Sequence, residues 1–219
     1  MPVSCDKCRC GSGTSTRNGR RAATGWLVPV AALALTLTAL VVVDARGEVF
    51  HSRESALRLA FDGADSVSTR TLVLDGEQVE AIEDRSGSRV PSRVVRAYVG
   101  YRDDTILGYA FIETHRVRSL PETVMVVVAP DGSVAATHLL AFHEPPQYRP
   151  PQRWLDQFDA RPLDDRMALG RDIAGIAGST LTAQAVTACV RRAVATAEVC
   201  LVTPATAVQD APVSKAGTP

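Results

Sequence analysis

The feature that constrains this chain most is an apolar run near its start. Between Ala22 and Val43 there is no charged residue, and Trp26 to Val43 is almost wholly apolar. About 20 such residues carry a helix across the hydrocarbon core of a bilayer. A buried core helix accounts poorly for the run, which is apolar on every face and sits behind a basic flank. Lys7, Arg9, Arg17, Arg20 and Arg21 precede it, whereas Asp44, Arg46 and Glu48 follow in near balance. That asymmetry keeps the N-terminus cytoplasmic and sends the rest of the chain outward. A cleaved signal peptide is the rival reading. Val41-Val42-Val43-Asp44-Ala45-Arg46 offers no small-x-small site, and the run exceeds a usual h-region, so the anchor is expected to be retained. The expected organisation is a cytoplasmic tail at 1–21, a transmembrane anchor at 22–43, an extracytoplasmic domain at 50–202 and a disordered polar tail at 203–219.

A chain of 219 residues has room for one globular domain beside such an anchor. Acidic and basic residues balance at 24 each, so no basic field points to nucleic acid. The Cys5-Asp6-Lys7-Cys8-Arg9-Cys10 tail lacks the second ligand pair of a convincing zinc site. His51, His115, His138 and His143 do not fall at metal-ligand spacing, so no metal site is expected. Gly11 to Thr16 is rich in glycine and hydroxyls, but no Lys-Ser/Thr follows it and no strand precedes it, which makes it a linker rather than a P-loop.

The outer region reads as α+β: an antiparallel sheet with flanking helices, preceded by the one N-terminal transmembrane helix. Ser52 is a fair N-cap for a short helix whose apolar positions Ala56, Leu57, Ala60 and Phe61 recur at helical spacing, ended by Asp62-Gly63. Thr71 to Leu74, ending at Asp75-Gly76, and Val94 to Val99 and Ile106 to Ile112 read as strands. The strongest hairpin joins Thr123–Ala129 to Val134–Phe142 through Pro130-Asp131-Gly132, because Asp-Gly tolerates the positive φ of a tight turn. Period two places Val134, Ala136, His138, Leu140 and Phe142 on one face of its second strand, and the unbroken apolar run of the first predicts cover on both faces. The prolines from Pro145 to Pro151 predict a stiff extended loop, and Trp154, Leu155 and Phe158 a short helix packed on the sheet. Leu181 to Ala197 is Ala-rich with an apolar stripe through Val186, Cys189, Val190, Ala193 and Val194, and predicts a long helix. Cys189 and Cys200 can pair only if that helix ends between them.

The junction that feeds this helix, Asp172 to Thr182, carries the chemistry. Free backbone N–H groups and the positive end of the helix macrodipole suit an anionic phosphate there, and Gly178 lets a ligand approach the backbone. The plain alternative is an N-cap, the commonest use of Ser or Thr at a helix start.

The segment Ala177-Gly178-Ser179-Thr180-Leu181-Thr182 resembles the Ser/Thr-Gly-Ala-Thr motif of the FMN-binding domain family, whose members include flavin-carrying components of the sodium-translocating NADH:quinone oxidoreductase and of Rnf-type electron-transport complexes. The likeness extends to a Gly-Tyr-Ala-Phe strand at Gly108 to Phe111, the Asp131-Gly132 hairpin, His143-Glu144, and a Trp-Leu-x-Gln-Phe segment at Trp154 to Phe158, covering roughly residues 50 to 200. The resemblance implies a covalent FMN, attached by a flavin transferase through a phosphoester to Thr180. Ala177 and Ser179 depart from the family pattern, which makes Ser179 a rival attachment point. By family position, His143 and Glu144 face the flavin, and Asp172 stands for an acidic residue upstream of the motif at longer spacing.

The cofactor-binding set implied is thus Ala177, Gly178, Ser179, Thr180, Leu181, Thr182, Glu144 and Asp172. The expectation that follows is a membrane-anchored extracytoplasmic flavoprotein, passing electrons between a membrane donor and an acceptor. Its partners would be the flavin transferase, membrane electron-transfer proteins and lipid. The alternative is a flavin-free binding or regulatory module that keeps the fold. A hydrolase using Ser179 or Thr180 lacks a visible partner base.

Overall fold

The computed structural model describes residues 47–202. The expected tail at 1–21, the anchor at 22–43 and the tail at 203–219 lie outside the described residues. Among the described residues, no helix is long and apolar enough to cross a membrane.

The fold is α+β, built on one six-stranded antiparallel sheet. Its strands are β1 (Glu48–Val49), β2 (Ser66–Val73), β3 (Val94–Arg102), β4 (Thr105–Arg116), β5 (Pro121–Val128) and β6 (Val134–Phe142), in the order β1-β6-β5-β4-β3-β2. Five strands form a simple meander, and β1 adds to its far edge through Glu48↔Phe142 and Val49↔Ala141. The helices are α1 (Arg53–Ala60), α2 (Gly76–Ser86), α3 (Gln152–Leu155) and α4 (Thr180–Cys200).

β5 is covered on both faces, as its apolar run predicts: Val124, Met125, Val126, Val127 and Val128 are all buried. On one face Val124, Val126 and Val128 meet the α4 stripe of Ala183, Val186, Val190 and Val194, together with Trp154, Leu155 and Phe158. On the other, Met125 and Val127 join Tyr98, Ala110 and Leu140 beneath Ala56 and Phe61. α1 begins as the sequence implies, with Ser52 Oγ accepting the Ser55 amide at 3.2 Å. The β5–β6 turn also forms, with Gly132 at φ +89 and Asp131 Oδ1 accepting the Ser133 amide at 2.9 Å.

Three expectations are corrected, and the open question of a Cys189–Cys200 pair is decided. The five residues placed on one face of β6 do not share it. Ala135 is extra between the Val127↔Ala136 and Val128↔Val134 pairs, and a second shift separates Thr123↔Ala141 from Val124↔Leu139. Val134, Leu139 and Phe142 therefore face α4, whereas Leu140 faces α1 with Ala136 beside it. A bulge reverses the alternation because two residues oppose one.

Asp75-Gly76 is not simply the end of a strand. Asp75 caps α2: its Oδ1 accepts the Gln78 amide at 2.8 Å, and Gln78 Oε1 accepts the Asp75 amide at 3.1 Å, a reciprocal capping box. The proline segment is not wholly extended, since Pro146–Tyr148 makes a 3-10 turn. Finally, α4 continues unbroken to Cys200, and Cys189 and Cys200 are both free thiols. Helical rise alone separates them by about 16 Å, beyond disulfide reach.

Candidate functional site

The start of α4 borders a cavity of ≈ 270 Å³ lined by Gly178, Ser179, Thr180, Leu181 and Thr182, by Val117 and Arg118 from the β4–β5 loop, and by Glu144 and Tyr148 beyond β6. Gly178 sits at φ +77, a left-handed conformation that L side chains adopt only with strain, and it turns the chain into the helix.

Ser179 and Thr180 are separated sharply by their surroundings. Ser179 is buried at 3% exposure and its Oγ donates a long bond to Gln147 O at 3.4 Å, whereas Thr180 is exposed at the cavity wall. Ser179 occupies the N-cap position, yet no side chain caps the helix. The first backbone bond into the helix is donated by Ala183 to Ser179 O at 3.0 Å. The amides of the first turn precede that bond and have no intrahelical acceptor, so they remain available to an anion.

Glu144 contributes differently from its expected role. It is buried, and its Oε1 accepts the amides of Ser119 and Leu120 at 2.7 Å each and of Arg118 at 3.2 Å. The Leu120 amide foremost, with those of Ser119 and Arg118, holds this carboxyl below the usual carboxylate range. Glu144 thus pins the β4–β5 loop over the cavity, and in doing so presents Arg118 to it.

The remaining expected residues lie outside the cavity wall. Asp172 is held by Arg161 at 2.8 Å and Arg166 at 3.0 Å, closing the loop before α4. Ala177 is exposed beside the glycine turn. The His143 ring lies against Gly47, where an added Cβ would meet it at 1.8 Å, and its Nδ1 stands 3.2 Å from Pro121 O. Val117, Arg118 and Tyr148 join the site without having been expected from the sequence. Tyr148 is the one aromatic of the proline segment, a signal available in principle, while Arg118 acquires meaning only once the Glu144 clamp is seen.

A second cluster lies across the sheet face under α4. Glu113 and His115 of β4 and Cys189 of α4 bring one ligand-type atom each to within 4.8 Å of one another. His115 Nε2 is 2.7 Å from Oε1 of the wholly buried Glu122. Arg192 grips Glu113 through Nε at 3.2 Å and through its terminal nitrogen. Burial disfavours charge on His115, but Cys189, Glu113 and Glu122 outweigh it and hold the imidazole up at about 11. Chain spacing does not reveal this grouping, because sheet pairing and helix packing assemble it.

No protein-family model matches the chain, and no curated protein sequence matches it.

Proposed function

We propose that this protein is a flavoprotein carrying FMN through a phosphoester to Thr180. The observation that carries this reading is the uncapped start of α4, with the Thr180 side chain exposed at the cavity and Ser179 buried. The free amides and the helix dipole suit a phosphate in that position, and Arg118 at the cavity wall adds a full positive charge. Tyr148 and Val117 supply apolar surface of the kind that a flat heteroaromatic ring packs on. The resemblance of the Ala177 to Thr182 segment to the FMN-binding domain motif supports FMN as that anion.

A threonine hydroxyl is a weak nucleophile without a base, and among the residues lining the cavity no histidine stands ready to activate it. Attachment therefore belongs to a separate flavin transferase, for which this chain is the substrate. Once bound, the flavin supplies the redox chemistry. The chain's own residues hold the phosphate at the helix start and enclose one side of the cofactor. The apolar run at 22–43 would place this domain outside the cytoplasm as a single-pass anchored protein, relaying electrons between a membrane donor and an acceptor.

The test is co-expression with a flavin transferase, followed by denaturing electrophoresis and inspection of the band for flavin fluorescence. Fluorescence is expected in the wild type and in Ser179→Ala, and none in Thr180→Val. A dark wild-type band, with the transferase active on a control substrate, rejects the reading; fluorescence that survives Thr180→Val rejects the site.

A further inference from the structure

We infer that Glu113, His115 and Cys189 form a binding site for a single Zn²⁺ ion, separate from the α4 N-terminal cavity. The three side chains already converge, with their ligand atoms within 4.8 Å of one another. Tetrahedral Zn²⁺ at about 2.0–2.3 Å from N, O and S donors needs ligand spacings of roughly 3.3–3.8 Å, so a closure of about 1 Å completes the shell. Thiolate with imidazole favours zinc over the hard ions Mg²⁺ and Ca²⁺, which select all-oxygen sites.

Two further observations point to a ligand. The first is the state of the His115 ring. Its Nε2 pairs with Glu122 Oε1 at 2.7 Å, and Glu122 is 0% exposed, while its Nδ1 is buried without a hydrogen-bond partner and lies 3.6 Å from Glu113 Oε1. A metal-binding histidine is held in this way, with one nitrogen fixed by a buried carboxylate and the other left for the ion. The second is access. A cavity of ≈ 140 Å³ is walled by Val90, Phe111, Glu113, Cys189, Arg192 and Thr196, so an ion reaches Cys189 through it and a fourth ligand, water, has room on the same side.

Arg192 is the competing feature, since it binds the same Glu113 carboxylate. It does not block the site. A carboxylate oxygen accepts from Arg192 and donates a lone pair to zinc at once, and the guanidinium offsets the charge of Glu113 beside Glu122 and the Cys189 thiolate. Binding displaces the Cys189 thiol proton and the His115 Nδ1 proton into solvent. Glu122 acts as a positioning residue, orienting the ring without touching the metal.

The site does not depend on flavin at Thr180, and its test is read without flavin. The full chain is purified in detergent with Cys5→Ser, Cys8→Ser and Cys10→Ser, which removes the thiols of the N-terminal segment, and is titrated with Co²⁺ and, against a chromophoric chelator, with Zn²⁺. The expected result is one equivalent of Co²⁺ per chain with a thiolate-to-cobalt charge-transfer band, unchanged by Cys200→Ser and abolished by Cys189→Ser. Zn²⁺ affinity should fall at least tenfold in Glu113→Gln, and about 10- to 100-fold in Glu122→Gln, as for other carboxylates behind a zinc histidine. Circular dichroism checks folding, and Cys189→Ala carries the same test if Cys189→Ser does not fold. Absence of stoichiometric binding, or a charge-transfer band that survives loss of the Cys189 sulfur, overturns the proposal.

Discussion

At the scale of single residues, the decisive contrast is between two adjacent hydroxyls. Ser179 is 3% exposed and turned toward Gln147 O, while Thr180 faces the cavity, and the one-residue difference follows from where the helix begins. Gly178 sets that beginning. Nothing lies within 4 Å of a Cβ added there, so a substitution is strained by backbone conformation alone. Gly178→Ala is expected to destabilise the domain by about 1 kcal/mol, the usual cost of a left-handed L residue, measured as a lower urea midpoint at unchanged slope. It should also lower flavin attachment by shifting Thr180. Arg118 is solvent-exposed, so its pull on a phosphate is screened and small. Arg118→Ala should slow covalent flavin incorporation about two- to fivefold under limiting transferase, in keeping with exposed ion pairs of up to roughly 1 kcal/mol. Unchanged incorporation would remove Arg118 from the site.

At the scale of elements, α2 shows how a cap organises distant packing. Its capping box starts the helix at Gly76, Gly87 ends it in the left-handed conformation, and Ile82 packs with Leu74 and Ala195. Arg191 of α4 then ties down its last turn by donating to Ser86 O at 2.7 Å. Asp75→Ala is expected to cost about 1 kcal/mol in thermal or urea unfolding while leaving flavin attachment at Thr180 intact, because the loss falls on α2. The hairpin, α4 and the double cover of β5 were all legible in the sequence, since each rests on a local signal: Asp-Gly, an Ala-rich apolar stripe, an unbroken valine run. α2 was not read from the sequence, because its Asp-x-x-Gln cap is hidden behind Asp-Gly, which serves turns and caps alike. The β6 bulges were not legible, because an extra residue is defined by the partner strand rather than by its own chain. The same limit hides Glu113, His115 and Cys189, which share no spacing and meet only after β4 pairs and α4 docks. In the cavity at the α4 start, the helix start carried a local signature, whereas Arg118 entered through the long-range Glu144 clamp.

At the scale of the whole molecule, Glu144 joins three parts of the fold. It follows β6, accepts three amides of the β4–β5 loop, and lines the cavity at the α4 start. Its carboxyl is held below the usual range first by the Leu120 amide and then by those of Ser119 and Arg118. The sign of the linkage follows from that depression. The folded state binds this proton less readily than the unfolded chain, where a glutamate titrates near about 4.3, so the stabilisation is fully present above that pH and is lost as pH falls through the lower folded value. Urea midpoints measured from pH 7 downward should hold steady to about pH 5 and then decline, with Glu144 contributing to the slope. Glu144→Gln keeps the shape and a neutral acceptor, so its midpoint should be lower at pH 7 and its acid decline shallower, the two proteins converging once the pH lies below the folded value. Glu144→Ala leaves the three amides without their acceptor and should cost about 1–3 kcal/mol at pH 7. Parallel acid limbs in wild type and Glu144→Gln would show that the depressed carboxyl is not Glu144, and that the β4–β5 loop is held over the cavity by other means.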